Sequence, residues 1–507
     1  MTAGSPNYPL QSIEVLEFPE DFGKLLPQPS GLPDWPTDQI SYLGLYLKNL
    51  GCKSIIRESH YIDRDFILDH SVFYSRSLRD YPNYCTRMHF FACPLTTNQW
   101  GAMFGPVADA ERQAIAAELQ RDYLGFTVIK PLPGSPIGRT VLRTYPTLTD
   151  TGSVRVFGGT RKYEIHLAGY RFAVEGLAFQ QQDRGVSACA TTALWSSLQK
   201  VAHDEQLFVP TPAHITEAAS KYLLSEGRSF PSEGLNIQQI CEAIRGSGLQ
   251  PQVVRSVAPE EDRAQLAAYI ASGFPPVLAI QPVSGGQGHA ICAVGMKTGD
   301  LKSLVPPSEH PHHVRAGNAL QGLYVHDDRL GPYAYADLFS WTYQKDGQPQ
   351  IATALRIHWP DKTEMDLSIL KALIVPVPDK IRMSITRVLA LGAEFAQVAG
   401  MYFKEFEARA ILSVGYKPGL IYRESAFSFG LSEVGLRQLC CDTVLPRFLG
   451  VIEVSAHEGA LFDVLLDTTE TIFNPSALLI VKRSALPSTY ESALQLLADQ
   501  YGARLIA

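Results

Sequence analysis

The sequence predicts an α/β (α+β) protein made of a Pro-rich arm (1–40) and three units, 41–174, 175–359 and 360–507. Three observations predict it. Of 507 residues, 46% are apolar and 19% charged, the balance of a chain that buries cores, and at about 150 residues per domain the length provides for about three. Stretches with helical period alternate with strand-like runs along the chain. Pro- and Gly-rich turns punctuate them, without internal repeats or low-complexity tracts.

The elements follow in order. Pro6, Pro9, Pro19, Pro27, Pro29, Pro33 and Pro36 are too many for a helix or central strand, so residues 1–40 are expected as an extended arm. In the first unit a helix over Ala108–Tyr123 precedes strands at Phe126–Lys130 and Thr140–Leu142, with a Pro/Gly-rich turn between the two strands. Tyr84–Ala92 reads partly as strand, which makes Cys85, His89 and Cys93 core residues rather than ligands on a helix face. The third unit opens with a long helix, Met383–Phe406, whose Val388, Leu391, Phe395 and Val398 form a core-facing stripe. Short strands at Leu449–Val454 and Ala477–Val481 follow.

Composition also excludes classes of function. Lys plus Arg (44) against Asp plus Glu (51) gives a charge of −7 spread along the chain, so no nucleic-acid partner is indicated. No window approaches the roughly 18 apolar residues of a membrane span. The eight cysteines lack the spacing of a disulfide framework, and Met1–Phe22 carries Glu14, Glu17, Glu20 and Asp21 in place of a basic and an apolar leader region. A reducing, cytoplasmic location is expected. No phosphate loop or dinucleotide fingerprint is present. His310, His312 and His313 are interrupted by Pro311 and lack a Cys or carboxylate that would complete a tetrahedral set. Neither a cofactor nor a metal is therefore expected.

The middle unit carries the chemistry. Phe179-Gln-Gln-Gln-Asp-Arg-Gly-Val-Ser-Ala-Cys189 is a polar loop, and the helical stripe of Leu194, Leu198 and Val201 begins just after it. Cys189 is thus expected at a helix N-terminus, where free N–H groups and the helix dipole favour a thiolate. A thiolate attacking an acyl group needs an imidazole partner. Gly288-His289-Ala-Ile-Cys-Ala-Val-Gly295 supplies one at the start of an apolar strand, with alternation sending Cys292 to the face opposite His289. The imidazole in turn needs an acceptor. Leu323-Tyr-Val-His-Asp327-Asp328-Arg-Leu-Gly331 offers two carboxylates, which alternation sends to opposite faces, so at most one of them is expected to orient His289.

In this order of elements the middle unit resembles the papain-like cysteine peptidases, and within them the bacteriocin-processing (double-glycine leader) peptidase group. The resemblance covers roughly residues 178–345 and rests on the Cys189 loop and helix, on Gly234–Leu249, on Gly273–Ile280 leading to His289, and on Val325–Gly331 followed by Tyr335–Trp341. It implies a papain-like domain between N- and C-terminal α/β domains, and hydrolysis of a peptide or isopeptide bond in a protein substrate through a Cys-His-Asp triad. An Asp followed four positions later by Gly is the group's third triad member, which selects Asp327. The group's oxyanion Gln stands six residues before Cys, where this chain has Asp183; a one-residue insertion would give the role to Gln182, with Gln181 the alternative. An insertion around Val305–His313 lengthens the interval from His289 to Asp327 and reads as a lid. A transglutaminase or acyltransferase on the same fold, or an inactive binding module, are the other readings. The flanking domains suit a protein partner.

Overall fold

The computed structural model describes residues 12–23, 37–106, 108–132, 134–148, 153–183, 185–186, 188–221, 234–304, 313–345, 347–359, 366–403, 410–456, 459–469 and 477–507. The expected lid, apart from His313, and most of the arm lie outside them.

The fold is mixed α/β, and its first sheet is antiparallel with five strands in sequence order: Ile13–Glu17, Ser54–Tyr61, Cys85–Phe91, Tyr123–Ile129 and Ile137–Leu142. Part of the Pro-rich arm is therefore an edge strand, Ile13–Glu17 pairing with Ser54–Glu58. The helix expected over Ala108–Tyr123 runs from Asp109 to Asp122, and Tyr123 instead opens a strand buried along its whole length. His89 lies in a strand, its Nε2 2.9 Å from Glu58 and its Nδ1 2.9 Å from the Tyr123 hydroxyl, a satisfied core imidazole held neutral by a burial-driven fall to about 4.

The middle sheet closes on itself. Val277–Pro282, His289–Thr298, Leu320–Asp327, Gly331–Lys345, Gln348–Ile357 and Asp366–Val377 pair antiparallel in that order, and the last pairs back onto the first. This makes a barrel with no open edge among those six strands. The boundary expected at 359/360 falls inside it, because Leu370, Ala372, Leu373 and Ile374 of the closing strand are buried. A helix, Cys189–Asp204, lies against four of the barrel strands, and Ala190 through Leu198 are all buried.

The third sheet contains Ile411–Pro418, Phe448–Ala456, Gly459–Asp467, Leu479–Lys482 and Arg504–Ile506, with a two-residue strand from the middle unit, Val314–Arg315, on its edge. Its long helix runs Ile385–Tyr402, capped by the Ser384 hydroxyl, with Val388, Leu391 and Phe395 buried as the stripe predicts. Among the described residues no helix is long and apolar enough to cross a membrane. All eight cysteines are free thiols.

Candidate active site

Cys189 is the first residue of its helix. The preceding residue, Ala188, is extended (φ −86°, ψ 175°) and provides no side-chain acceptor, so the first-turn N–H groups face whatever stands at the thiol. The rest of the helix is a core element, while Cys189 itself stays partly exposed. Cys292, by contrast, is sealed in the barrel, where burial pushes its thiol far up. Chain alternation placed it away from His289, and the register, with Cys292 opposite His326 and His289 opposite Ile280, agrees.

His289 opens its strand beside the Cys189 helix. Its Nε2 lies 2.9 Å from Asp327 Oδ1, and the Cys189 thiol is hydrogen-bonded to the same ring, which leaves Nδ1 as the nitrogen for sulfur. Burial alone would lower the imidazole. The Asp327 carboxylate and its hydrogen bond, the Cys189 contact and Asp328 outweigh burial and raise the ring to about 10, so it is an imidazolium at neutral pH.

Asp327 is fully buried and fully used. Its Oδ1 accepts from His289 and from the Arg329 backbone N–H at 3.0 Å, and its Oδ2 accepts from Arg329 Nη2 at 3.0 Å. Against the upward push of burial, His289 and Arg329 hold it well below the usual carboxylate range. Asp328 does not point away as alternation predicts: its Oδ1 is 3.7 Å from His289 Nε2. The strand ends at Asp327 after a bulge beyond Val325, and the chain turns so that the Leu330 N–H bonds back to the Asp327 carbonyl. Period two lapses there, and both carboxylates reach one imidazole. Asp328 Oδ2 is buried without a partner among the described residues, and burial, reinforced by Asp327 against the pull of His289, raises its carboxyl to about 7.

Gly331 closes this turn for a steric reason. A Cβ there would stand 2.2 Å from the Tyr42 ring, whose helix, Thr37–Asn49, belongs to the N-terminal unit and whose hydroxyl donates to Pro332 O at 3.0 Å.

The three glutamines separate clearly. Gln182 is exposed. Gln181 spends its carboxamide on the N-terminal sheet, Nε2 donating to Gly134 O and Oε1 accepting from the Ile137 N–H. Gln180 is 4% exposed, and its Nε2 has no partner among the described residues. A buried amide donor left unsatisfied calls for an explanation.

Sequence reasoning missed Arg329, the approach of Asp328 and the buried state of Gln180. For the turn, the signal was Asp327-Asp-Arg-Leu-Gly331 itself, since Asp side chains commonly bond the backbone two residues on. Donor atoms of His289, Asp327 and Asp328 all lie within 4.8 Å of one another, a spacing that suits a cation. Arg329 already places a positive charge on Asp327 there. Compared with known proteins, the chain matches no protein-family model and no curated sequence.

Proposed function

We propose that the chain is a cysteine peptidase, papain-like in its middle unit, that hydrolyses a peptide or isopeptide bond in a protein substrate. The observation that carries this reading is the hydrogen-bonded line Cys189–His289–Asp327, assembled from a helix N-terminus, a strand start and a strand end. A buried, permanently ionised acid behind an imidazolium, which in turn faces a partly exposed thiol, suits acyl transfer to sulfur.

In the first step the Cys189 sulfur bonds to the carbonyl carbon. His289 gives its Nδ1 proton to the departing amine as the C–N bond breaks, leaving a thioester and a neutral imidazole. Water then loses a proton to His289 and attacks the thioester, releasing the acid and restoring the imidazolium beside the sulfur. Asp327 stays ionised throughout and keeps Nε2–H directed at itself. The Cys189 N–H is one donor to the developing oxyanion, and Gln180, buried with a free Nε2–H, is better suited than the exposed Gln182 to be the second. The chemistry is complete with these side chains and water.

Cys189→Ala tests the reading. Turnover, and labelling by a peptide carrying a thiol-directed electrophile, should both vanish while the melting temperature stays within about 2 °C, since one small side chain replaces another at a half-buried site. Labelling of the Ala variant equal to that of the intact chain would remove the assignment. Mass analysis of products with and without added amine separates hydrolysis from acyl transfer.

A further inference from the structure

The loop that delivers Cys189 is built onto the N-terminal unit. Phe179 exchanges two backbone hydrogen bonds with Thr140, each 2.8 Å, and the Gln181 N–H donates to Ile137 O at 3.0 Å, so this stretch extends the first sheet. Farther along, Asp183 Oδ1 accepts from the Gly185 and Val186 N–H groups at 2.9 and 2.7 Å, so the Asp183 carboxylate holds the backbone two and three residues on. Asp183 Oδ2 lies 3.7 Å from Lys130 Nζ, and both side chains are only 4% exposed. The Tyr74 hydroxyl also bonds Asp183, and a Cβ on Gly185 would meet the Phe73 ring at 2.7 Å. Lys130, Phe73 and Tyr74 all belong to the N-terminal unit.

A buried ammonium and a buried carboxylate hold each other in place because separating them would strand a charge in a poor dielectric. Val186, whose N–H the Asp183 carboxylate holds, stands three positions before Cys189, the first residue of the helix. We propose that Lys130 is a positioning residue for Cys189: through Asp183 it sets the loop that presents the sulfur to His289, which makes the N-terminal unit part of the catalytic apparatus. This rests on the peptidase reading above. It also means that the middle unit alone lacks a residue that positions its own thiol.

The test uses the full chain and iodoacetamide, with alkylation followed separately at Cys189 and at the exposed Cys441 by peptide-resolved mass spectrometry across a range of pH. In the intact chain Cys189 should react at least about tenfold faster than Cys441 at about pH 6, because its sulfur is hydrogen-bonded to the His289 ring. Lys130→Met should reduce that excess to about threefold or less while unfolding remains cooperative, and Lys130→Arg should restore most of it. A merely structural lysine would change the melting temperature and leave the pH profile in place. An excess undiminished in Lys130→Met overturns the proposal alone, whereas no excess in the intact chain overturns both it and the peptidase reading. If Lys130→Met does not fold, Tyr74→Phe, which removes one bond to Asp183, should lower the excess in the same direction by a smaller factor. An unchanged profile in Tyr74→Phe would then overturn it.

Discussion

The N- and C-terminal units grip the same helix at its two ends, and they do so by different means. At the Cys189 end the contacts are buried and specific: Lys130 with Asp183, the paired backbones of Phe179 and Thr140, and, one helical turn and a half in, Trp195 Nε1 donating to Asp65 at 3.1 Å. At the Asp204 end the C-terminal unit offers Arg447, 56% exposed, to Glu205, 12% exposed, at 2.7 Å, and both line a cavity of about 430 Å³ with Val201, Phe274, Tyr416, Leu420 and Phe448. Buried polar contacts fix geometry because breaking them leaves unsatisfied groups, whereas a pair with one exposed partner, such as Arg447 with Glu205, is reached and loosened by water and salt. The difference teaches that one flank is built into the site and the other is joined to its scaffold.

The comparison can be broken, or sharpened, by substitution. The largest effect belongs to the site itself: Asp327→Asn should lower kcat by about 10³-fold with little change in KM, because the imidazole loses its counter-charge and its tautomer is no longer fixed. Steady-state kinetics on any cleaved peptide check it. Next, Asp65→Ala leaves the Trp195 N–H buried without an acceptor and should cost about 1–3 kcal/mol in denaturant unfolding. The smallest effect falls at the other end, where Arg447→Ala should cost about 1 kcal/mol or less and leave activity unchanged. A larger loss for Arg447→Ala than for Asp65→Ala would reverse the comparison.

Asp328 sharpens it through pH. Its carboxyl titrates at about 7 when folded and at 3.8 as a free group, so the folded chain holds a proton that the unfolded chain has released, and stability falls between those values. Asp328→Asn removes this loss. Its gain in melting temperature over the parent should therefore be greater above pH 7 than below 3.8. His289 acts in the opposite sense: its pKa is raised from 6.5 to about 10, so its contribution is fully present below 6.5 and lost as pH climbs through about 10. Melting curves of the parent and of His289→Gln should converge over that range.

Much of the candidate site's placement in the fold was legible because it depends on local rules. A polar loop before an apolar stripe announces a helix start, and that put Cys189 where the helix begins. Strand alternation separated Cys292 from His289, while the choice of Asp327 over Asp328 came from the resemblance, through the Gly four positions later. What was not legible depends on long-range contact. Alternation cannot foresee a bulge, so Asp328 was sent to the wrong face. No spacing reveals that Gln181 is bound by Gly134, which leaves Gln180 as the buried amide without a partner among the described residues. The boundary at 359/360 failed because the strand closing a barrel is recognised by its partner, Val277–Pro282, and not by its own composition.

The central claim is that His289 stands as an imidazolium between Cys189 and Asp327. Nitrogen NMR of the histidine side chains, assigned with His289→Gln, tests it directly. The account predicts a His289 ring protonated on both nitrogens at neutral pH, titrating near 10. A ring that titrates near the ordinary 6.5 would contradict it.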